Sequence, residues 1–178
     1  MIITETGVSG GGDGGRIRPL EAAGWSAAIE IVNGCWRSLY AGFVNPALLS
    51  GEGCRERATQ LEREFRERRL EEYVWEGAGR ILGLLSVGDT ADPDRPGAFE
   101  IWRLYLAPEA RGKGAGGLLL AHAEDLARQR GRRETLIWAF RENTGALRFY
   151  EKHGYQQDRA EYLGPPYLAN GVRFLKYI

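Results

Sequence analysis

A run of glycines, a carboxylate and a phenol are the residues of this chain whose types and spacing could do chemistry. The glycines form Gly112-Lys113-Gly114-Ala115-Gly116-Gly117, lying between a strand-like run, Phe99 to Leu106, and a helical pattern. The first N–H groups of a helix have no internal partners and its N-terminus carries partial positive charge. Glycine also lets an anion approach the backbone closely, so this stretch reads as a cradle for phosphate or pyrophosphate. Arg111 and Lys113 can each add a full charge, the alternative for both being solvation at the surface. Glu100 stands among Phe99, Ile101 and Trp102, whose apolar bulk should raise its pKa. Tyr150 follows Asn143 by two helical turns, so both point to one side, and its phenol can donate one proton; the plainer alternative is a ring sealing the core beside Phe149.

The glycine letters satisfy G-x-G-x-x-G, with Glu142 after the next strand, which brings a dinucleotide fold into consideration. Against it, Ala107 to Arg111 separate strand from glycine where that fingerprint turns tightly, and the motif comes too late for a six-stranded sheet. A Walker A loop fails because Gly114 follows Lys113, leaving no Ser or Thr for magnesium.

The elements that must position these residues follow from periodicity. Arg16 to Leu20 reads as a short first strand, and Leu20 to Tyr40 as a helix with Ile29, Val32, Trp36, Leu39 and Tyr40 on one stripe and Gly34 as a kink. Asn45-Pro46 reads as an N-cap followed by a proline at the first helical position. Arg55 to Arg69 is a mixed-charge surface helix carrying Ala58, Leu61 and Phe65 on its apolar face. Glu72 to Trp75 and Ile81 to Val87 form a hairpin about Gly77-Ala78-Gly79. Gly88 to Gly97, with three aspartates and two prolines, is a solvated connector or a contact for a cationic substrate. Alternation over Phe99 to Leu106 places Glu100, Trp102, Leu104 and Leu106 on one face. A helix from Gly112 to Arg130, a buried strand Thr135 to Phe140, a helix from Asn143 to His153, and strands Tyr155 to Leu163 and Val172 to Ile178 complete a mixed α/β domain.

The 178 residues suit one domain, expected over 16–178 behind a flexible glycine-rich leader, 1–15. Lys plus Arg total 24 and Asp plus Glu total 24, so no bulk field draws the chain to nucleic acid or an anionic membrane. Cys35 and Cys54 make no disulfide framework, and no signal peptide or membrane span is read, so a cytoplasmic protein is expected. His122 and His153 lack ligand-spaced partners, and no metal is expected.

The run Arg111 to Gly116 matches the R/Q-x-x-G-x-G/A signature of the GNAT superfamily of acetyl-CoA-dependent N-acetyltransferases. LYLAPEA before it and NTGALRFYEKHGY after it are typical of that family, which the chain resembles from the hairpin to the C-terminus. Before Glu72 the likeness is one of general order. The resemblance implies a mostly antiparallel sheet of six to seven strands flanked by about four helices and splayed between its two central strands. It implies that N–H groups of Gly112, Lys113, Gly114, Ala115, Gly116 and Gly117, aided by Arg111, bind the coenzyme A pyrophosphate. It further implies that Leu104, Tyr105 and Leu106 offer backbone contacts to pantetheine, one N–H polarising the thioester, and that Asn143 holds pantetheine. Glu100 falls, by its spacing to Arg111, where one branch of the family keeps a catalytic glutamate, and Tyr150 where many members keep an acid. The expected activity is direct transfer of acetyl from acetyl-CoA to a primary amine, with Glu100 as base directly or through water. The preferred acceptor is a small molecule such as a polyamine, on the grounds of Glu100 and the acidic loop. Peptide or protein amines, and a non-catalytic acyl-CoA sensor, stand as alternatives, and a homodimer is left open.

Overall fold

The structure, a computed structural model, describes residues 15–178. The leader expected over 1–15 lies, apart from Gly15, outside the described residues. In chain order the strands are β1 (Arg16–Pro19), β2 (Glu71–Gly77), β3 (Arg80–Asp89), β4 (Phe99–Leu106), β5 (Glu134–Phe140), β6 (Gln156–Leu163) and β7 (Ala169–Tyr177). The α-helices are α1 (Trp25–Leu39), α2 (Gly51–Glu67), α3 (Ala115–Gln129) and α4 (Thr144–Lys152). The strands form one seven-stranded sheet in the order β1-β2-β3-β4-β5-β7-β6. All neighbours run antiparallel except β4 and β5, which are parallel and therefore need the α3 crossover between them.

The β2–β3 turn shows how local chemistry places an element. Ala78 and Gly79 both take positive φ, 50° and 72°, the two-residue turn whose twist matches its flanking strands. Gly77 is accordingly the last residue of β2 rather than part of the loop. Helix α1 continues through Gly34, which faces open space.

The sheet separates two cores. On one face α1 and α2 bury Ala28, Val32, Trp36, Leu61 and Phe65 against Val74 and Leu84. On the other, α3 and α4 bury Leu119, Leu120, Ala123 and Tyr150 against Leu85, Phe99 and Ile101. The expected alternation along β4 fails at one point. Val87 pairs with Ile101 and Ser86 with Arg103, so Trp102 is an extra residue, a β-bulge. Ile101, Leu104 and Leu106 consequently pack in the α3 core, while Tyr105 packs with the α1 core and Arg103 meets Glu64 of α2. Glu100 alternates with Phe99 and Ile101 and therefore falls on the α1 side with Arg103 and Tyr105, rather than with Leu104 and Leu106.

A second feature of β4 positions the site. Only Phe99↔Thr135 and Glu100↔Leu136 are in register between β4 and β5, whereas β5 pairs with β7 along its whole length. Beyond Glu100 the two parallel strands part. The edge of β4 facing β5 is left without a strand partner from Ile101 to Leu106.

Candidate active site

The gap between the parted strands opens into a cavity of about 920 Å³, lined by β4, β5, the start of α3, and faces of α1 and α4. At its glycine-turn end, Gly112 and Gly114 take φ of 72° and 87°, a left-handed backbone that would strain any residue with a Cβ. These two conformations delay helix α3 to Ala115, later than the expected start at Gly112. No side chain caps α3, so its first N–H groups are free of a side-chain acceptor. Gly112, Gly114, Gly116 and Gly117 line the cavity, Ala115 is buried, and Lys113 is exposed to solvent. Gly116 is seated so that an added Cβ would press on Phe149 and Leu106 at 3.3–3.4 Å.

Arg111 turns inward. Its Nε donates to Leu106 O at 3.0 Å and its Nη2 to Cys35 Sγ at 3.3 Å, and the Cys35 thiol also donates to Leu106 O at 3.3 Å. The guanidinium therefore staples the end of β4 to the glycine turn, and the Leu106 carbonyl is already satisfied. Cys35 is buried, and desolvation raises its pKa despite the opposing pull of Arg111, which keeps it a thiol.

Leu104, Tyr105 and Leu106 line one wall of the cavity, and Asn143 and Tyr150 lie on another. Asn143 caps α4, its side-chain oxygen accepting from Ala146 N at 3.3 Å. Tyr150 is buried, and burial pushes its phenol well above the ordinary tyrosine range. Among the described residues none is hydrogen-bonded to its hydroxyl, which is left for whatever occupies the cavity.

Glu100 is 7% exposed and also lines the cavity. Thr90 Oγ1 donates to its Oε2 at 2.8 Å. Burial pushes its pKa up to about 6; the Thr90 hydrogen bond pulls it down and the neighbouring Asp92 charge pushes it up. The structure thus brings the carboxylate, the phenol and the glycine turn to one cavity.

Phe140 and Tyr167 join the cavity without a signal in the sequence pattern, whereas Trp36 and Tyr40 lie on the apolar stripe of α1. Trp36, Tyr40, Phe140 and Tyr167 form an aromatic wall, with Tyr40 and Phe140 rings 5.0 Å apart edge to face. Trp36 Nε1 donates to Tyr105 OH at 3.2 Å, and the Arg57 guanidinium lies over the Trp36 ring, 3.9 Å from its centroid. The acidic loop is a largely solvent-exposed connector, as expected, but its aspartates are not a free anionic patch. Arg173 of β7, 2% exposed, donates five hydrogen bonds of 2.8–3.0 Å to Asp92, Asp94 and Asp158. Asp92 also accepts from Trp138 Nε1 at 2.9 Å. These carboxylates are neutralised internally, which removes the loop as an argument for a cationic acceptor. Glu161 of β6, at the same cavity, is paired with Arg159 at 2.7 Å. Glu100 stands apart among the cavity carboxylates in having no cation within salt-bridge distance among the described residues.

Among the described residues no group of three or more His, Cys, Asp or Glu is placed to hold a metal, and no helix is long and apolar enough to cross a membrane.

The splay of the sheet and the glycine turn without a side-chain cap thus meet at one cavity. Residues 28–155 match the model of the acetyltransferase (GNAT) family. The chain belongs to this family of N-acetyltransferases. It is 28% identical over 150 residues, 79% of this chain and 88% of the other, to a spermidine N(1)-acetyltransferase of Thermoplasma acidophilum. An uncharacterized N-acetyltransferase of Methanocaldococcus jannaschii is 38% identical over 87 residues, a match that spans 48% of this chain and 38% of that one. In fold it is similar to an N-acetyltransferase from Thermoplasma acidophilum crystallised with coenzyme A (TM-score 0.71, 22% identity, 92% of this chain and 99% of that one). It is likewise similar to an acetyltransferase from Salmonella typhimurium with acetyl-CoA (TM-score 0.68, 20% identity, 92% and 93%).

Proposed function

We propose that the protein transfers acetyl from acetyl-CoA to the primary amine of a small molecule by direct attack. The observation that carries this reading is the placement of Glu100, Tyr150 and the uncapped α3 turn around one cavity that opens where β4 leaves β5. Solved relatives that hold coenzyme A or acetyl-CoA support the choice of donor.

In this reading the pyrophosphate lies on the N–H groups of Gly112 to Gly117. Pantetheine runs along the unpaired edge of Leu104 to Leu106, with Asn143 on the opposite wall. A backbone N–H of that edge donates to the thioester oxygen, where negative charge develops on attack. The incoming ammonium, with a pKa near ~10, must lose a proton before its nitrogen can attack. Glu100 takes that proton directly or through a water, being ionised at neutral pH yet desolvated enough to be basic. Collapse of the tetrahedral intermediate expels the thiolate, to which Tyr150 offers its hydroxyl proton. Burial weakens Tyr150 as an acid, but the same apolar surroundings destabilise a thiolate, and the difference between the two sets the transfer.

The similarity to a spermidine-acetylating enzyme supports an amine of the polyamine class as acceptor. The support from this chain's own residues is narrower: Glu100 as counter-ion at the floor of an aromatic wall that can also attract a cation. Free thiol released from acetyl-CoA across a panel of amines tests the reading. Release with at least one small primary amine is expected; tight acetyl-CoA binding without release for any acceptor would instead favour a sensor domain.

A further inference from the structure

A hydrogen-bonded path leads from Arg173 to Glu100. Arg173 fastens Asp92 and Asp94. The Asp92 backbone N–H donates to Thr90 Oγ1 at 3.0 Å, and Thr90 Oγ1 lies 2.8 Å from Glu100 Oε2. A hydroxyl has a single proton to give, and an ionised carboxylate can only accept. Thr90 therefore donates to Glu100 and accepts from Asp92, a polarity that the folded loop imposes. We propose that Thr90 is a positioning residue that fixes the orientation and ionisation of Glu100, and that Arg173 acts through it by fastening the Asp92–Asp94 segment against β7. The proposal rests on the reading of Glu100 as the base.

The charges that face Glu100 come from two other elements: Asp92 on the loop and Arg173 on β7. Arg103 of β4 and Glu161 of β6 line the same cavity and are paired with Glu64 and Arg159 respectively. Thr90 and Asp92 push Glu100 in opposite directions. The hydrogen bond favours the carboxylate, and the like charge disfavours it. That opposition separates positioning from general loosening of the loop, which would move both variants alike.

The test is the acid limb of the pH profile of kcat/KM for acetyl-CoA, at saturating amine, in the full-length protein. In T90V the limb is expected to move up by about one pH unit, with activity at pH 7 down several-fold and the KM for acetyl-CoA within twofold. T90S should restore the parent profile. D92N retains an oxygen acceptor for Arg173 and Trp138 but loses the charge, and its limb is expected to move down. R173Q should move the limb in the T90V direction by losing both its direct charge on Glu100 and its hold on the loop, and the T90V/R173Q pair should shift by less than the sum of the two; D94N, at an exposed end of the clasp, replaces R173Q if that variant does not fold. A limb unmoved in T90V, or moved the same way in T90V and D92N, overturns the proposal while E100Q still abolishes the limb. Additive shifts in the double variant overturn the part assigned to Arg173. Persistence of the limb in E100Q would instead overturn the reading of Glu100 as base.

Discussion

Replacing Glu100 with glutamine removes the base with little change of shape. The amide oxygen of Gln still accepts from Thr90, so the loop and the floor of the cavity should stand. In the parent, a carboxyl pushed up to about 6 is roughly nine-tenths ionised at pH 7, and the rate should be flat above that pH. In E100Q the enzyme depends on amine that has lost its proton in solution. For an ammonium near ~10 that is about one part in a thousand at pH 7 and about one in ten at pH 9. The variant should therefore fall behind by up to about a thousandfold at pH 7, inside the usual range for a general base, and by only about tenfold at pH 9. Its log rate should climb by about one per pH unit, without the limb near 6. Initial rates of thiol release from acetyl-CoA between pH 5 and 9.5 give both curves. A variant within a few-fold of the parent at every pH would refute the base. A variant with normal kcat and a raised KM for amine would make Glu100 a counter-ion only.

Three further outcomes follow from the geometry. Tyr150→Phe keeps the ring that packs against Phe174 and Tyr155 but loses the free hydroxyl, so kcat should fall about 10- to 100-fold while calorimetry shows acetyl-CoA affinity within twofold of the parent. Gly114→Ala forces a Cβ onto a φ of 87° at the N-cap of α3; a destabilisation of about 1–2 kcal/mol in thermal unfolding and weaker acetyl-CoA binding by calorimetry are expected. Glu72, buried beside Ser86 and Arg103, is pushed up to about 7 by desolvation, so the native state holds a proton that the unfolded chain releases from about 4.5 upward. Stability should fall as pH rises through that window, and Glu72→Gln should exceed the parent above pH 7 by at most about 3 kcal/mol, the gap closing toward pH 4.5 in denaturant titrations.

The parts of the site that were legible in the sequence are those set by local chemistry. Glycines at 112 and 114 announce a turn that only they take without strain, and the Ala78-Gly79 turn and the cap at Asn143 are equally local. The bulge at Trp102 was hidden because alternation counts residues and cannot show that one of them is skipped. That error put Glu100 on the wrong side of the strand relative to Leu104, though in the right cavity. The Arg173 clasp joins carboxylates at 92, 94 and 158 to an arginine on β7, and nothing in spacing brings those together before the sheet forms. Arg111 reads in the sequence as a charge for a phosphate, and its bonds to a β4 carbonyl and an α1 thiol join residues that no local pattern brings together.

Direct transfer across the parted strands is tested most plainly by rapid quench of the protein mixed with acetyl-labelled acetyl-CoA, with and without a reactive small amine. Direct attack predicts label passing from coenzyme to amine in step with thiol release, and no acid-stable label on the protein at any time. Label accumulating on the chain before product, above all at Cys35 beside the Leu106 carbonyl, would contradict it.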